Sequence, residues 1–323
     1  MKKLVKILKI TGLILLLLGI TGFISEFYKK NRDSKLYPPP GELVNNGKYN
    51  LHVNISGTGA YPVVIITGAG SSSYEWDKVA DGLTHFTIVF RYDRAGYAWS
   101  DLPQSRLTLE DMLDNLHFVL TEKNIVCPCV FIGHSLGGLY ARVFAKKYPS
   151  LAAGLILVDP RPVHFTKIIP ESGYAEQHVN ILLPVLKVLG PIGISRMIGE
   201  SILPKNFPDK YRSFKFSIEG PKYVNIIEDE INIVTQMEEK LQNDTSYDIP
   251  AVFLVHKKSD LFPGFNDEKS RQITLKWTEL QFQTSKLFKS SDVIIAEKSG
   301  HHIHLDDPGL IIQTTRDFIN TNK

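Results

Sequence analysis

The residues best suited to carry out chemistry form the segment Gly-His-Ser-Leu-Gly-Gly at positions 133–138, between an apolar run and a helical pattern. A strand–turn–helix of this kind would expose Ser135 at the head of a helix, where the N-terminal amides favour a developing negative charge. Gly133 and Gly137 lie two positions to either side and let neighbouring backbone approach the turn. The segment therefore predicts a serine nucleophile.

A general base for this serine is available near the end of the chain, in the segment Ser-Gly-His-His-Ile-His at 299–304. A strand pattern at 293–296 ends just before it, and Pro308 begins a helix soon after it. His301 is therefore predicted on a loop at the carboxyl ends of the strands, the same edge as Ser135. We predict that His301 is the base.

Other chemical classes have weaker support in the composition. The formal net charge is only +3, with no clustered basic face that would indicate nucleic acid. Three histidines within four residues of one loop (His301, His302 and His304) seldom converge on one ion, so neither a metal nor a cofactor is predicted. The two cysteines, Cys127 and Cys129, are close neighbours that we expect to remain free thiols.

The elements that must position these residues alternate between strands and helices. Short, β-branched apolar runs predict buried parallel strands, and one alternating run predicts a half-buried strand. The alternation implies an α/β fold, a mostly parallel sheet with helices on both faces. Its core is predicted at 42–160 and 246–323. The predicted strands are 49–55, 63–66, 87–90, 130–132, 155–158, 252–255 and 293–296, and the predicted helices are 109–120, 136–147, 268–287 and 308–319.

One stretch, residues 161–245, interrupts this alternation. It has helical patterns, such as 181–189 and 223–241, and no convincing strand. Because it lies between two predicted strands of the sheet, we expect it to be an inserted helical lid.

The N-terminal segment is predicted to be a membrane anchor over residues 1–28, followed by a polar and proline-rich linker at 29–41. The run Ile10–Ile24 is uncharged, and the lysines before it can extend the span by snorkelling. A cleaved signal peptide is the alternative, although no A-x-A pattern follows the run. The lysines and arginines that flank the run are nearly balanced. A short tail before a signal-anchor more often stays in the cytosol, which places the body on the extracytoplasmic side.

Two motifs carry a family resemblance. The chain resembles the α/β-hydrolase superfamily from about residue 38 onward, and especially bacterial members with Tyr-Pro-Pro-Pro-Gly (37–41) and Tyr-Asp-Arg-Ala-Gly-Tyr-Ala-Trp-Ser-Asp (92–101) segments. In that family the loop after the third strand supplies an oxyanion-hole amide, which here implies the backbone N–H of Ala69. The usual histidine of that loop is missing, but the group that matters is a backbone amide. Leu136, after the nucleophile, is implied as the second donor.

The acid that orients the histidine has two candidates under the same resemblance, because family members place it after the sixth or the seventh strand. Asp260 ends the segment Val-His-Lys-Lys-Ser-Asp and matches the commoner placement after strand seven, so it is slightly preferred. Asp159 ends strand six and matches the placement seen in some lipases.

The resemblance implies a serine hydrolase that cleaves a small ester or a related acyl bond, without a cofactor. A proline-releasing aminopeptidase is the nearest alternative, and the carboxylates Glu228, Asp229 and Glu230 could bind its substrate ammonium. A solvated helix face would explain those carboxylates equally well. A ligand-binding protein that has kept the fold and lost the chemistry is the alternative from another functional class.

Overall fold

The computed structural model describes residues 2–125, 128–169, 183–185, 187–194, 196, 208–215, 218, 220–259 and 267–322. It divides into two compact units. One comprises Met1–Pro39 with Ala175–Asn225, and the other comprises Pro40–Tyr174 with Ile226–Lys323. The larger unit contains the sheet and all the described residues that were predicted to do chemistry.

The larger unit is built on one eight-stranded sheet with the order β1-β2-β4-β3-β5-β6-β7-β8. Strands β1 and β2 pair antiparallel, and so do β2 and β4, whereas every pair from β4 to β8 is parallel. The carboxyl ends of these parallel strands therefore meet at one edge of the sheet. The strands are Glu42–Asn45 (β1), Asn50–Ser56 (β2), Val63–Ile66 (β3), Val89–Tyr92 (β4), Cys129–His134 (β5), Ala152–Val158 (β6), Ala251–His256 (β7) and Ser291–Ala296 (β8).

Helices cover both faces of this sheet. Successive residues of a buried parallel strand point to opposite sides, so apolar side chains on both faces need to be covered. The helices of the described residues are Lys2–Leu36 (α1), Asp77–Leu83 (α2), Leu109–Glu122 (α3), Leu136–Lys147 (α4), Phe165–Ile168 (α5), Asp209–Phe214 (α6), Gly220–Leu241 (α7), Asp267–Ser285 (α8), Ile303–Asp306 (α9) and Pro308–Thr321 (α10). Ile65 packs in one core with α2 and α10, and Ile66 packs in the other with α3, α4 and α8.

The predicted α/β class, the mostly parallel sheet and the helices on both faces are confirmed. The prediction that β2 would alternate between a buried and a solvated face is wrong. His52, expected outside, is fully buried because its Nδ1 lies 2.8 Å from Asp93 Oδ2 and its ring packs on Trp99. Ile55, expected inside, is exposed. The face of β2 that was predicted to be solvated is therefore buried at His52, where it contacts Asp93.

The cysteine prediction is also wrong for Cys129. This residue, at the start of β5, is disulfide-bonded rather than a free thiol. The other cysteine of the sequence, Cys127, lies outside the described residues.

The smaller unit pairs the N-terminal helix with the middle of the inserted segment, whereas the sequence predicts an anchor at 1–28 and a lid at 161–245 as separate domains. Helix α1 continues to Leu36, so most of the predicted 29–41 linker is helical. The most apolar 18 residues of α1 have a mean hydropathy of 2.3, and none of these residues is buried. Helix α1 is therefore long and apolar enough to act as a membrane anchor or a signal sequence. The described parts of the 161–245 insertion are helical and contain no strand.

Candidate active site

Ser135 lies in the tight connection between β5 and α4, at the carboxyl edge of the sheet. Its backbone has φ 52° and ψ −119°, a strained conformation for a residue with a side chain, which costs on the order of 1–3 kcal/mol. The flanking glycines are required sterically. A Cβ on Gly133 would lie 2.5 Å from the carbonyl oxygen of Gly137, and a Cβ on Gly137 would clash with that of Ile66. The predicted strand–turn–helix at the serine is thus present.

His301 follows β8 and lies at the same edge of the sheet as Ser135. The Nε2–H of His134, the residue before the serine, donates to the backbone carbonyl oxygen of His301 at 3.0 Å. Burial, followed by the nearby imidazoles of His304 and His301, lowers the pKa of His134 well below its ordinary value. His134 is therefore neutral and has one N–H available for this hydrogen bond. The contact ties the loop that carries the predicted base to the turn that carries the predicted nucleophile.

The side chain of His301 is oriented by Asp159. His301 Nδ1 lies 2.5 Å from Asp159 Oδ2, and Asp159 is completely buried at the end of β6. Strands β5 and β6 are adjacent and parallel, and the amide of Ser135 donates to the carbonyl oxygen of Val158 at 3.1 Å. Neighbouring strand ends therefore place Ser135 beside Asp159, and Asp159 reaches His301. Asp260, the slightly preferred acid of the sequence analysis, lies outside the described residues.

Three further donors hold Asp159, and they come from two residues that were not predicted, His256 and Trp277. The backbone N–H of His256 (3.2 Å) and the indole Nε1–H of Trp277 (3.0 Å) both donate to Asp159 Oδ1. His256 Nδ1 lies 2.9 and 2.8 Å from the two carboxylate oxygens. Burial alone would raise the pKa of Asp159, but His256 and His301 outweigh it and hold that pKa well below its ordinary value. The carboxylate is thus ionised and fixed in place.

The two implied oxyanion donors lie on either side of the serine turn. Leu136 is the first residue of α4, where a helical N–H has no partner within the helix. A Cβ on Gly68 would lie 3.3 Å from the Ser135 Cβ, so the loop carrying Ala69 passes directly over the serine. The amide of Gly70 donates to the Tyr97 hydroxyl, whereas Ala69 is exposed. This geometry is compatible with the Ala69 and Leu136 amides as a pair of donors.

A family model described as the α/β hydrolase fold matches residues 61–176, which include β3 to β6 and the Ser135 turn. The chain belongs to the α/β-hydrolase fold superfamily. Among known proteins, an uncharacterised protein of Schizosaccharomyces pombe is 27% identical over 275 residues, which are 83% of this chain and 48% of that protein. The chain spans about half the length of the curated relatives it matches.

Solved structures resemble this α/β-hydrolase chain in fold. A thermophilic esterase from Thermogutta terrifontis, determined with malate bound, has a TM-score of 0.65 and 20% identity, and the match covers 87% of this chain and 99% of the esterase. The epoxide hydrolase CorEH has a TM-score of 0.64 and 17% identity, with coverage of 87% and 99%. The fold is therefore common to proteins with different hydrolytic chemistries.

Arg94 supports the loop that carries Ala69 in this α/β-hydrolase chain. Its guanidinium is buried and donates to the carbonyl oxygens of Thr67 at 2.6 Å and Gly68 at 2.8 Å. The counter-charge is Glu230 of α7, whose Oε1 lies 3.2 Å from Arg94 Nη2 and also accepts from the Tyr97 hydroxyl. One buried ion pair thus fixes both the backbone of this loop and the helix behind it.

Changing Arg94 to lysine is expected to lower kcat by about tenfold to a hundredfold with little change in KM, because it would displace the predicted oxyanion donor at Ala69 and weaken transition-state binding. A lysine is a point charge and lacks the planar fork that reaches Thr67, Gly68 and Glu230 together. Arg106→Lys is the matched control, since Arg106 is exposed and its nearest carboxylate oxygens lie 3.9 and 4.0 Å away. Steady-state kinetics on variants with unchanged melting temperature would test this. Wild-type kcat in Arg94→Lys would contradict the positioning role.

Among the described residues of this α/β-hydrolase chain, two groups of three side chains could offer ligands to a metal. Each group has its donor atoms within 4.8 Å of one another: His134 with His302 and His304, and Asp159 with His256 and His301. The second group is explained by the hydrogen bonds described above. In the first, the ring of His304 stacks on Trp76 at 4.6 Å, and His134 is bonded to the His301 backbone. These contacts explain why the side chains of each group lie close together, and we assign no ion to either group.

Proposed function

We propose that this protein is a serine hydrolase that cleaves a small ester or a related acyl bond through an acyl-enzyme. The observation that carries the proposal is the short contact of His301 Nδ1 with the buried carboxylate of Asp159, beside the strained turn of Ser135. An ionised acceptor at Nδ1 fixes the tautomer in which Nε2 is unprotonated and free to take a proton.

The proposed reaction proceeds in two steps. His301 Nε2 takes the proton of the Ser135 hydroxyl as its oxygen attacks the acyl carbon, and the amides of Ala69 and Leu136 bind the oxyanion. The protonated His301 then gives its proton to the leaving group, which departs as the alcohol. Water, activated by the same histidine, hydrolyses the acyl-serine and releases the acid. Asp159 stabilises the imidazolium in both steps without itself taking a proton.

The nucleophile distinguishes this proposal from epoxide hydrolase chemistry, although one structural neighbour is an epoxide hydrolase. In this fold that reaction uses a carboxylate nucleophile, whereas position 135 is a serine. A hydroxyl opposite a histidine is suited to acyl transfer. The same residues argue against a ligand-binding protein without chemistry, because Ser135, His301 and an aspartate are all retained.

The aminopeptidase alternative receives little support from the carboxylates of α7. Glu230 is buried and paired with Arg94, and Asp229 Oδ2 accepts the backbone N–H of Leu107 at 2.9 Å. Glu228 is the most exposed of the three, and its Oε2 lies 3.9 Å from Arg106 Nη2. A substrate ammonium would have to displace buried contacts to bind the first two, and breaking such contacts costs about 1–3 kcal/mol or more for each group.

A comparison of two substrate classes tests the proposal. We expect the full-length protein to hydrolyse short p-nitrophenyl esters and to leave proline naphthylamide intact, since the paired carboxylates offer no site for a free amino terminus. The matched control is Asp229→Asn, which should change neither rate if this carboxylate only holds Leu107. Cleavage of the amide alone, lost in Asp229→Asn, would favour the aminopeptidase.

The N-terminal helix is proposed to be an uncleaved anchor, with the hydrolase unit on the extracytoplasmic side. A span of 35 residues is about 53 Å long at 1.5 Å per residue, more than a bilayer needs. Two acidic residues beyond the apolar run, Glu26 and Asp33, are buried within the smaller unit rather than solvated. Cleavage directly after the run would separate the unit from the apolar part of its own helix, which supports retention over a removed signal.

A further inference from the structure

An ion-pair cluster joins α1 to the inserted segment within the smaller unit. Arg196 forms a bidentate pair with Glu26, at 2.9 and 3.3 Å, and its Nη1 lies 2.9 Å from Asp33 Oδ2. Arg32 Nη2 contacts the other oxygen of Asp33 at 2.9 Å, so two carboxylates face two guanidinium groups. Glu26 and Asp33 are seven residues apart and therefore lie on one face of the helix.

The same face of α1 fixes the depth of the inserted segment. A Cβ on Gly22 would lie 2.8 Å from the carbonyl oxygen of Ile192. The backbones at 22 and 192 therefore approach more closely than a residue with a Cβ at position 22 would allow. A Cβ on Gly193 would lie 3.2 Å from Glu26 Oε2. Gly22 belongs to the apolar run that ends at Ile24. The turn at 190–193 therefore lies level with the last turn of that run.

The residues just before this turn present apolar side chains outward. Val188 is 74% exposed and Val185 is 47% exposed, whereas Leu183 is buried. Exposure of these valines to water would not stabilise the protein. Beside the end of a membrane-spanning helix, they would lie at the depth of the headgroup boundary. The apolar stretch of α1 is likewise exposed, and a bilayer is the one occupant that would cover both α1 and these valines.

We propose that Val185 and Val188 form a second membrane contact, in which the two side chains enter the lipid interface beside α1 at a depth set by the Arg196 cluster. The proposal rests on the anchor assigned to α1 above. It makes the inserted segment an interfacial element of the hydrolase, and the partner is the bilayer surface itself. Interfacial helices of this kind lie about 5–10 Å into the boundary between headgroups and acyl chains.

The test uses the full chain in phosphatidylcholine vesicles, with tryptophan at Val188 as a reporter and the wild type as the background for its three native tryptophans. Because Val188 is exposed, the substitution should not disturb folding. We expect the added emission to be protected from an aqueous quencher and to be quenched most by lipid brominated near the headgroup. Adding Arg196→Gln should abolish most of this quenching by releasing the segment. Quenching that persists in that background overturns the role of the cluster.

A second reporter, Leu16→Trp, separates this inference from the anchor on which it rests. Leu16 lies in the middle of the apolar run and should be quenched most by lipid brominated deep in the acyl chains. Quenching at position 16 together with solvent exposure at position 188 would overturn the interfacial contact and keep the anchor. Solvent exposure at both positions would overturn both proposals.

Discussion

Ser135→Ala is expected to abolish covalent labelling by a fluorophosphonate probe and to lower ester hydrolysis by at least about a thousandfold. The hydroxyl is the nucleophile of the proposed reaction and the only group that the substitution removes. Alanine should tolerate φ 52° about as poorly as serine, so the fold should persist with a similar melting temperature. Gel detection of the probe and steady-state kinetics on the same preparation measure both effects.

The control for this prediction is Ser290→Ala, because Ser290 is an exposed serine next to β8. Its labelling and activity should equal those of the wild type. Full ester hydrolysis by Ser135→Ala would exclude the acyl-enzyme at this residue. A wild type that folds well and does not react with the probe would favour the ligand-binding alternative.

Asp159→Asn is expected to reduce kcat on the order of a thousandfold to ten-thousandfold, with KM little changed. An asparagine has nearly the same shape, but its amide group can present N–H where the N–H of His301 needs an acceptor. The imidazole would then favour the tautomer protonated at Nε2, which cannot accept the serine proton. The variant also loses the charge that His256 and Trp277 stabilise by donation.

The matched variant is Asp260→Asn, the other candidate acid of the sequence analysis. If Asp159 orients His301, Asp260→Asn should retain activity close to that of the wild type, while Asp159→Asn does not. The reverse pattern would transfer the role to Asp260. Because Asp159 is buried and accepts several hydrogen bonds, melting temperatures and circular dichroism must accompany the kinetics, so that loss of activity is separated from loss of fold.

The nucleophile turn and the strand before it could be predicted from local sequence alone. Gly133, Ser135 and Gly137 are close in sequence, and the contacts that require glycine there involve the same turn and the neighbouring strand β3. Helix α4 could be placed at 136–147 for the same reason, since its boundaries follow from local apolar spacing. His301 could also be located, because the strand before it and the proline after it are local signals.

Local patterns could not decide which aspartate meets His301. Both candidates follow predicted strands, and only the order of the sheet places β6 directly beside β5 and brings Asp159 next to the serine turn. The structure supplies the contact to Asp159, while Asp260 is outside its described part. His256 and Trp277 were missed as partners of this carboxylate because they come from β7 and α8, about a hundred residues further along the chain.

Tertiary packing also decided the fate of charged and polar side chains that looked solvated in the sequence. His52 alternates correctly for a surface position, yet Asp93 and Trp99 bury it. Glu230 resembles one more acid on a helix, yet it is the counter-charge of Arg94 beneath the loop of Ala69. Hydrophobic periodicity reports which side of an element is apolar, whereas a buried polar residue is stable only when a partner from elsewhere in the chain satisfies it. Such partners come from distant parts of the sequence and meet only in the folded chain, so they could be identified from the structure and not from local patterns.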